Sequence, residues 1–289
     1  MTIFKKNSIL IAFIAFALFS MTAISFSQER CTAVYGEGPN KFSLATGSPG
    51  ELGIIKALAK AFSQEKSITL CWVKVGSGEA LRLLKDKKVD MIMAHAPEAE
   101  KKAVAEGCAV KRTLIGSNEF YVVGPANDPA KITKANSVVD AYFRIASAKT
   151  LFFWRGDNSG TYKKEMEIWK KAEISPSGDW YIVTKDFMTT TLNRANAEKG
   201  YFMTDSSTWI AEKNNLPNLT ILFRGDKFLV NTYHALCQPP NATPGASLAT
   251  KFVDFLASEQ GQRIIRDYGK DTYGEGLYND ASYARQYGD

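Results

Sequence analysis

Residues 150–171 read TLFFWRGDNSGTYKKEMEIWKK. An aromatic-rich run ends at Arg155, a polar turn follows, and beyond Gly160 apolar residues recur at helical spacing. That order predicts a buried strand, a short loop and an amphipathic helix. The loop puts an arginine, a carboxylate and Ser159-Gly160-Thr161 at the mouth of the helix. Taken alone, such a loop fits an Arg-Gly-Asp adhesion tripeptide, the nucleophile loop of a serine hydrolase, or a cradle for an anion. The rest of the chain decides between them.

The same unit recurs on both sides. KFSLAT (41–46), SITLCWVKV (67–75), VDMIMA (89–94) and EFYVVGP (119–125) read as strands. Helix-patterned ELGIIKALAKAFSQEK (51–66), GSGEALRLLKDKK (76–88) and PEAEKKAVAEG (97–107) lie between them. A second set runs from the helix SVVDAYFRIASAK (137–149) through the strands WYIVTK (180–185), GYFMTD (200–205) and LTILFR (219–224). Helical TTLNRANAEKG (190–200) and SSTWIAEKN (206–214) separate those strands, and LATKFVDFLASEQGQRIIRDYG (248–269) predicts a C-terminal helix pair. Alternation of this kind implies an α/β protein with mostly parallel sheets flanked by helices. The split that suits it places 38–122 with 232–289 in one lobe and 123–231 in the other. The chain then crosses between lobes twice, near Val123-Gly124 and Asn231-Thr232.

Residues 1–27 read as a signal peptide: Lys5 and Lys6, the apolar run SILIAFIAFALF, then Ser25-Phe26-Ser27 at the expected cleavage point near Ser27. This predicts an exported, periplasmic protein of roughly 260 residues, enough for two domains. The net charge of +6 falls to +4 without Lys5 and Lys6, and the remaining basic residues are scattered. KDKK (85–88) and KK (101–102) read as solvated helix faces, so no nucleic-acid partner is expected. Cys31, Cys71, Cys108 and Cys237 form no CxxC pair and have no histidine at ligand spacing, which argues against a metal site. Four cysteines in an oxidising compartment allow three full pairings, and Cys71, inside an apolar run, also fits a buried small hydrophobe.

Four loops share one chemistry. Thr46-Gly47-Ser48-Pro49-Gly50, Gly76-Ser77-Gly78, Ser159-Gly160-Thr161 and Thr189-Thr190-Thr191 each open a helix with small or hydroxyl residues. A helix N-terminus offers orphan N–H donors and partial positive charge, and so takes up oxyanions. In an open parallel sheet these loops fall at the carboxyl ends of strands, where ligands bind. Arg155 would add a fixed charge and a planar donor fork.

These residues also carry a resemblance. LATGSPGELG (44–53), KVGSGEAL (74–81), AHAPEAEKKAVAEG (94–107), NEFYVVGP (118–125), NDPA (127–130), RGDNSGTYKKE (155–165) and ILFRGD (221–226) resemble, in order, the tungstate-binding proteins of ABC importers. The resemblance spans residues 41–268. It implies a two-lobed periplasmic binding protein fold of the type II kind, closing on tungstate or molybdate. Its partner would be a membrane permease, and the protein would act as a monomer without a cofactor. Carried over residue by residue, the ligand set is Thr46, Gly47, Ser48, Ser77, Gly78, Arg155, Ser159, Gly160, Thr161 and Thr190. The chain departs from the family at Gly47, where a threonine run is usual, and at Glu79, where an amide is common.

Competing readings are weaker. A hydrolase would need His95 or His234 as base for Ser159, and no GxSxG elbow surrounds that serine. A phosphate binder would use Glu79 or Asp157 to accept the ligand's proton, and a sensor module would signal to a membrane partner instead of feeding a transporter. Asp157 is expected to orient Arg155 or cap the following helix, and Trp154 to wall the pocket.

Overall fold

The computed structural model describes residues 30–65 and 67–287; the signal peptide expected over 1–27 lies outside them. Eleven strands are present among the described residues: β1 Ala33–Tyr35, β2 Asn40–Thr46, β3 Ile68–Lys74, β4 Met91–Ala94, β5 Val110–Gly124, β6 Phe152–Trp154, β7 Tyr181–Val183, β8 Tyr201–Asp205, β9 Thr220–Phe223, β10 Val230–Cys237 and β11 Asn279–Asp280. The helices that matter below are α1 Ser48–Glu51, α2 Ile54–Glu65, α3 Ser77–Lys85, α4 Pro97–Ala105, α5 Val138–Ala148, α6 Gly160–Lys171, α7 Met188–Glu198, α8 Ser206–Glu212, α9 Ala246–Ala257 and α10 Glu259–Asp267.

The strands join in the order β1-β3-β2-β4-β10-β5-β8-β6-β7, with β9 and β11 also on β5. Parallel pairing holds β3, β2 and β4 together, and separately β7, β6 and β8. Helical crossovers connect these strands, as parallel neighbours require. Between the two parallel sections the sheet turns antiparallel through β10 and β5, so the parallel pattern read from the sequence belongs to the outer sections. Strand β5 serves both sections. Its residues up to Glu119 pair with β10, and from Phe120 onward they pair with β8 and β9.

Side-chain packing follows the same division. One group of buried residues, including Phe42, Phe62 and Phe252 with ring centroids 5.2–6.5 Å apart, packs α2 and α9 on the first section. A second, smaller group sits under α3. A separate group built around Tyr142, Phe152 and Trp169 draws only on residues 120–229.

Three local features depart from expectation. The helix read over 51–66 is broken by Gly53, whose φ of +90° suits glycine, into α1 and α2. Strand β10 and the first half of β5 carry buried Ser117, Asn118, Asn231 and His234, which hide the apolar alternation of a strand. Finally, Cys71 is not a free small hydrophobe: it is disulfide-bonded to Cys31 across the β1–β3 edge, while Cys108 and Cys237 are thiols.

Candidate functional site

Three of the four loops stand at helix starts, with α1 following Gly47, α3 Gly76 and α6 Ser159, whereas Thr189-Thr190-Thr191 lies just inside α7, which follows Phe187. The loops come from distant stretches of chain and meet. A Cβ on Gly78 would lie 2.5 Å from the carbonyl oxygen of Asn158, and one on Gly76 3.1 Å from Cβ of Ser159. The ring of Phe187 receives Lys74 Nζ at 4.4 Å and Arg155 Cζ at 5.7 Å. Lys74 is the strand neighbour of Thr46, so the end of β2–β3 faces the start of α7.

Three of the four helices that open here lack a side-chain cap, as α4 and α9 do elsewhere. Ser137, Asp205 and Ser258 cap α5, α8 and α10 with their side chains. Ala96 and Gly245, which lack a capping side chain, give their own N–H groups to Glu100 and Asp90. Gly47, Gly76 and Phe187 provide no side-chain cap for α1, α3 and α7. Three helix mouths therefore keep backbone donors for something else. Among the predicted hydroxyls, Ser77 Oγ accepts from the His95 N–H at 3.2 Å and keeps its own O–H as a donor. Thr161 is 1 % exposed and its Oγ1 has no protein partner. Ser159 Oγ accepts from the Tyr162 N–H at 3.2 Å. Thr46 is buried, and its carbonyl accepts from Trp72 Nε1 at 3.0 Å.

Arg155 is 4 % exposed, which rules out an adhesive Arg-Gly-Asp. Its Nε donates to the Asp186 carbonyl at 3.2 Å and its Nη2 to Asp157. Asp157 Oδ1 also accepts from the Ser159 N–H at 3.2 Å, so this carboxylate both orients the arginine and fastens the loop. Left-handed Asn158 (φ 57°), a conformation asparagine tolerates, turns the loop into α6. Trp154 stacks between Tyr162 and Tyr181, with centroids 5.3 and 4.9 Å away.

Other side chains fall differently from their sequence reading. Thr190 is exposed, while its neighbour Thr191 is buried and shares a hydrogen bond of 2.8 Å with Thr184. Glu79 turns outward to Arg82, whose hydrogen bond holds its carboxyl below the usual range. Lys74, paired with Glu51 at 2.9 Å, is a cation at the site that the loop pattern did not single out. Its alternation along β3 was the available signal, since it ends the strand beside Thr46. Neither histidine is arranged as a base for Ser159. His95 Nδ1 is 2.9 Å from Asn231 Oδ1, and His234, buried inside β10, has Nδ1 3.1 Å from Glu100 Oε2.

Comparison with known proteins assigns the chain to a family. A family model for a PBP superfamily domain matches residues 33–260. The tungstate-binding protein TupA of Peptoclostridium acidaminophilum is 35 % identical over 237 residues, 81 % of this chain and 82 % of that protein. The tungstate ABC transporter structure from Geobacter sulfurreducens superposes with a TM-score of 0.72 at 34 % identity, over 80 % of this chain and 100 % of the other. The tungstate-binding protein TupA from Desulfovibrio alaskensis G20 gives 0.69 at 38 % identity, over 83 % and 98 %. Such relatives are substrate-binding proteins of transporters, not enzymes. The chain belongs to the PBP superfamily and, within it, to the family of the TupA tungstate-binding proteins.

Proposed function

We propose that this protein captures a tetrahedral oxyanion, tungstate or molybdate, outside the cytoplasmic membrane and delivers it to the permease of an ABC importer. The observation that carries the reading is the convergence of three uncapped helix mouths with buried Arg155 and the partnerless hydroxyl of Thr161. Donors on several sides and the buried guanidinium of Arg155 suit a compact dianion.

The residues proposed to touch it are the backbone and hydroxyls of Thr46, Gly47 and Ser48, those of Ser77 and Gly78, and Arg155, Ser159, Gly160 and Thr161. On the fourth helix, exposed Thr190 gives way to the N–H groups opening α7. The proposed lobes, 38–122 with 232–289 and 123–231, hold the ligand between them, and residues 1–27 direct export to the periplasm. Phosphate is disfavoured by the carboxylates: a phosphate site needs an acceptor for the ligand's proton, whereas Glu79 is taken by Arg82 and Asp157 by Arg155 and Ser159.

Thermal unfolding of the mature protein with tungstate, molybdate, sulfate and phosphate tests the assignment. A ligand at about a thousandfold excess over its Kd stabilises the native state by about 4 kcal/mol. Tungstate and molybdate are expected to raise the transition well above the other two. A leading shift from sulfate or phosphate would overturn the choice of ligand.

A further inference from the structure

His95 belongs to none of the four loops, yet it touches two of them. Its backbone N–H is held by Ser77 Oγ at the mouth of α3. Its ring lies directly against Gly160 at the mouth of α6: a Cβ on that glycine would be 2.4 Å from Cε1 and 2.6 Å from Nε2. Tyr233 and Phe120 pack against the ring at 5.0 and 6.2 Å.

The remaining ring nitrogen leads into a buried chain of amides. Asn231 Oδ1 is 2.9 Å from His95 Nδ1, and Asn231 Nδ2 donates to Asn118 Oδ1 at 2.7 Å. Asn118 Nδ2 donates to Ser207 Oγ at 2.9 Å and to Asp205 Oδ1 at 3.3 Å. Asn118 and Asn231 face each other across β5 and β10, next to the point where β5 changes partners. The direction of the whole chain follows from its last member. A carboxylate only accepts, so the amino group of Asn118 must face Asp205 and its oxygen must face Asn231. The amino group of Asn231 then faces Asn118 and its oxygen faces the imidazole. His95 must therefore carry its proton on Nδ1.

We propose that His95 is a positioning residue for the oxyanion site, locked in orientation and in the Nδ1–H tautomer by Asn231, Asn118 and Asp205, and acting as the seat on which Gly160 and the mouth of α6 rest against α3. The proposal rests on the oxyanion reading above. Through His95, the two strands that run between the sheet sections set where the donors of α3 and α6 stand relative to each other. A ring that tilts or flips moves the α6 mouth away from Ser77, and the donor set loses its registry. The glycine at 160 is explained in the same way, because any side chain there would displace the imidazole.

The test combines titration calorimetry with tungstate and long-range ¹H–¹⁵N NMR of the histidine rings. His95→Phe keeps an aromatic ring but removes the Nδ1 donor, and should weaken binding roughly tenfold to a hundredfold, the scale seen when groups that orient a site's ligands are removed. His95→Asn, whose amide nitrogen can take the place of Nδ1, should recover part of that loss. In the wild-type protein without ligand, the ring should show a protonated Nδ1 and a lone pair on Nε2, a signature that Asn231→Leu should erase. Wild-type affinity in His95→Phe, or an Nε2–H ring in the wild type, would overturn the proposal. A wild-type protein that binds none of the oxyanions sinks the ligand assignment instead. The tautomer and its response to Asn231→Leu, both read without ligand, then still decide whether His95 is held as described.

Discussion

At the scale of single residues, charge is handled by pairing or by neutralisation, and each leaves a measurable trace. Around buried Arg155, Asp157 and the Asp186 carbonyl stand in for water. Arg155→Ala removes a charge-assisted contact worth about 1.5–3 kcal/mol, so tungstate affinity should fall about ten- to hundredfold. Arg155→Lys should fall between the two, keeping the charge without the fork. Because Arg155 also carries Asp157, the apo protein loses stability as well, and the affinity has to be titrated directly. Wild-type affinity in Arg155→Ala would remove the arginine from the site. Glu165 is the opposite case. It is 1 % exposed, and Oε1 accepts from Trp169 Nε1 and the Tyr181 hydroxyl. Burial pushes its carboxyl up to about 8, from an ordinary 4.5. Between those values the folded state keeps a proton that the unfolded chain releases, so this contribution is complete below pH 4.5 and lost as pH climbs through 8. Glu165→Gln should therefore unfold with a flatter pH dependence than the wild type in urea titrations at pH 5 and pH 8. Parallel slopes would show that Glu165 is ionised in the fold.

At the scale of elements, the β1–β3 edge is tied by Cys31–Cys71, which closes a segment with a sequence separation of 40. Loop closure of that size restricts the unfolded chain by about 4 kcal/mol, and the double variant Cys31→Ser/Cys71→Ser should lose stability on that order in denaturant. A loss below about 1 kcal/mol would mean that the edge holds without it. Neither the pairing nor β1 was legible in the sequence, since three residues of strand carry too little periodicity and spacing does not choose among cysteine partners. The strand-loop-helix units were legible because strands such as β4 and β8 are buried on both faces and read as apolar runs, with Gly, Ser or Thr marking the next helix. Strand β10 was not, because Asn231 and His234 belong to buried polar networks that spoil the pattern. The same distinction runs through the site. Arg155 and the hydroxyls of α3 and α6 stood out as residue types at helix starts. Which of Thr189, Thr190 and Thr191 is buried, and what His95 touches, did not, because helix phase and contacts across the sheet decide where those side chains point.

At the scale of the whole molecule, the proposed clamp makes opposite demands on one glycine. Gly78 lies in the first turn of α3 and packs on the Asn158 backbone of the loop before α6, leaving no room for a methyl group. In an open form without ligand the two would be apart, and Gly78→Ala would then only improve a helix position, by up to about 1 kcal/mol. Its apo melting temperature should hold or rise slightly. Closure would instead press the new Cβ against a carbonyl oxygen that cannot rotate away, as a flexible side-chain end could. Tungstate affinity should therefore fall, and the ligand-induced decrease in radius of gyration seen by small-angle scattering in the wild type should shrink. If Gly78→Ala were destabilised to the same degree with and without ligand, α3 and the Asn158 loop would be in permanent contact. The two parts of the sheet would then form one rigid body, and the site would have to fill without closing.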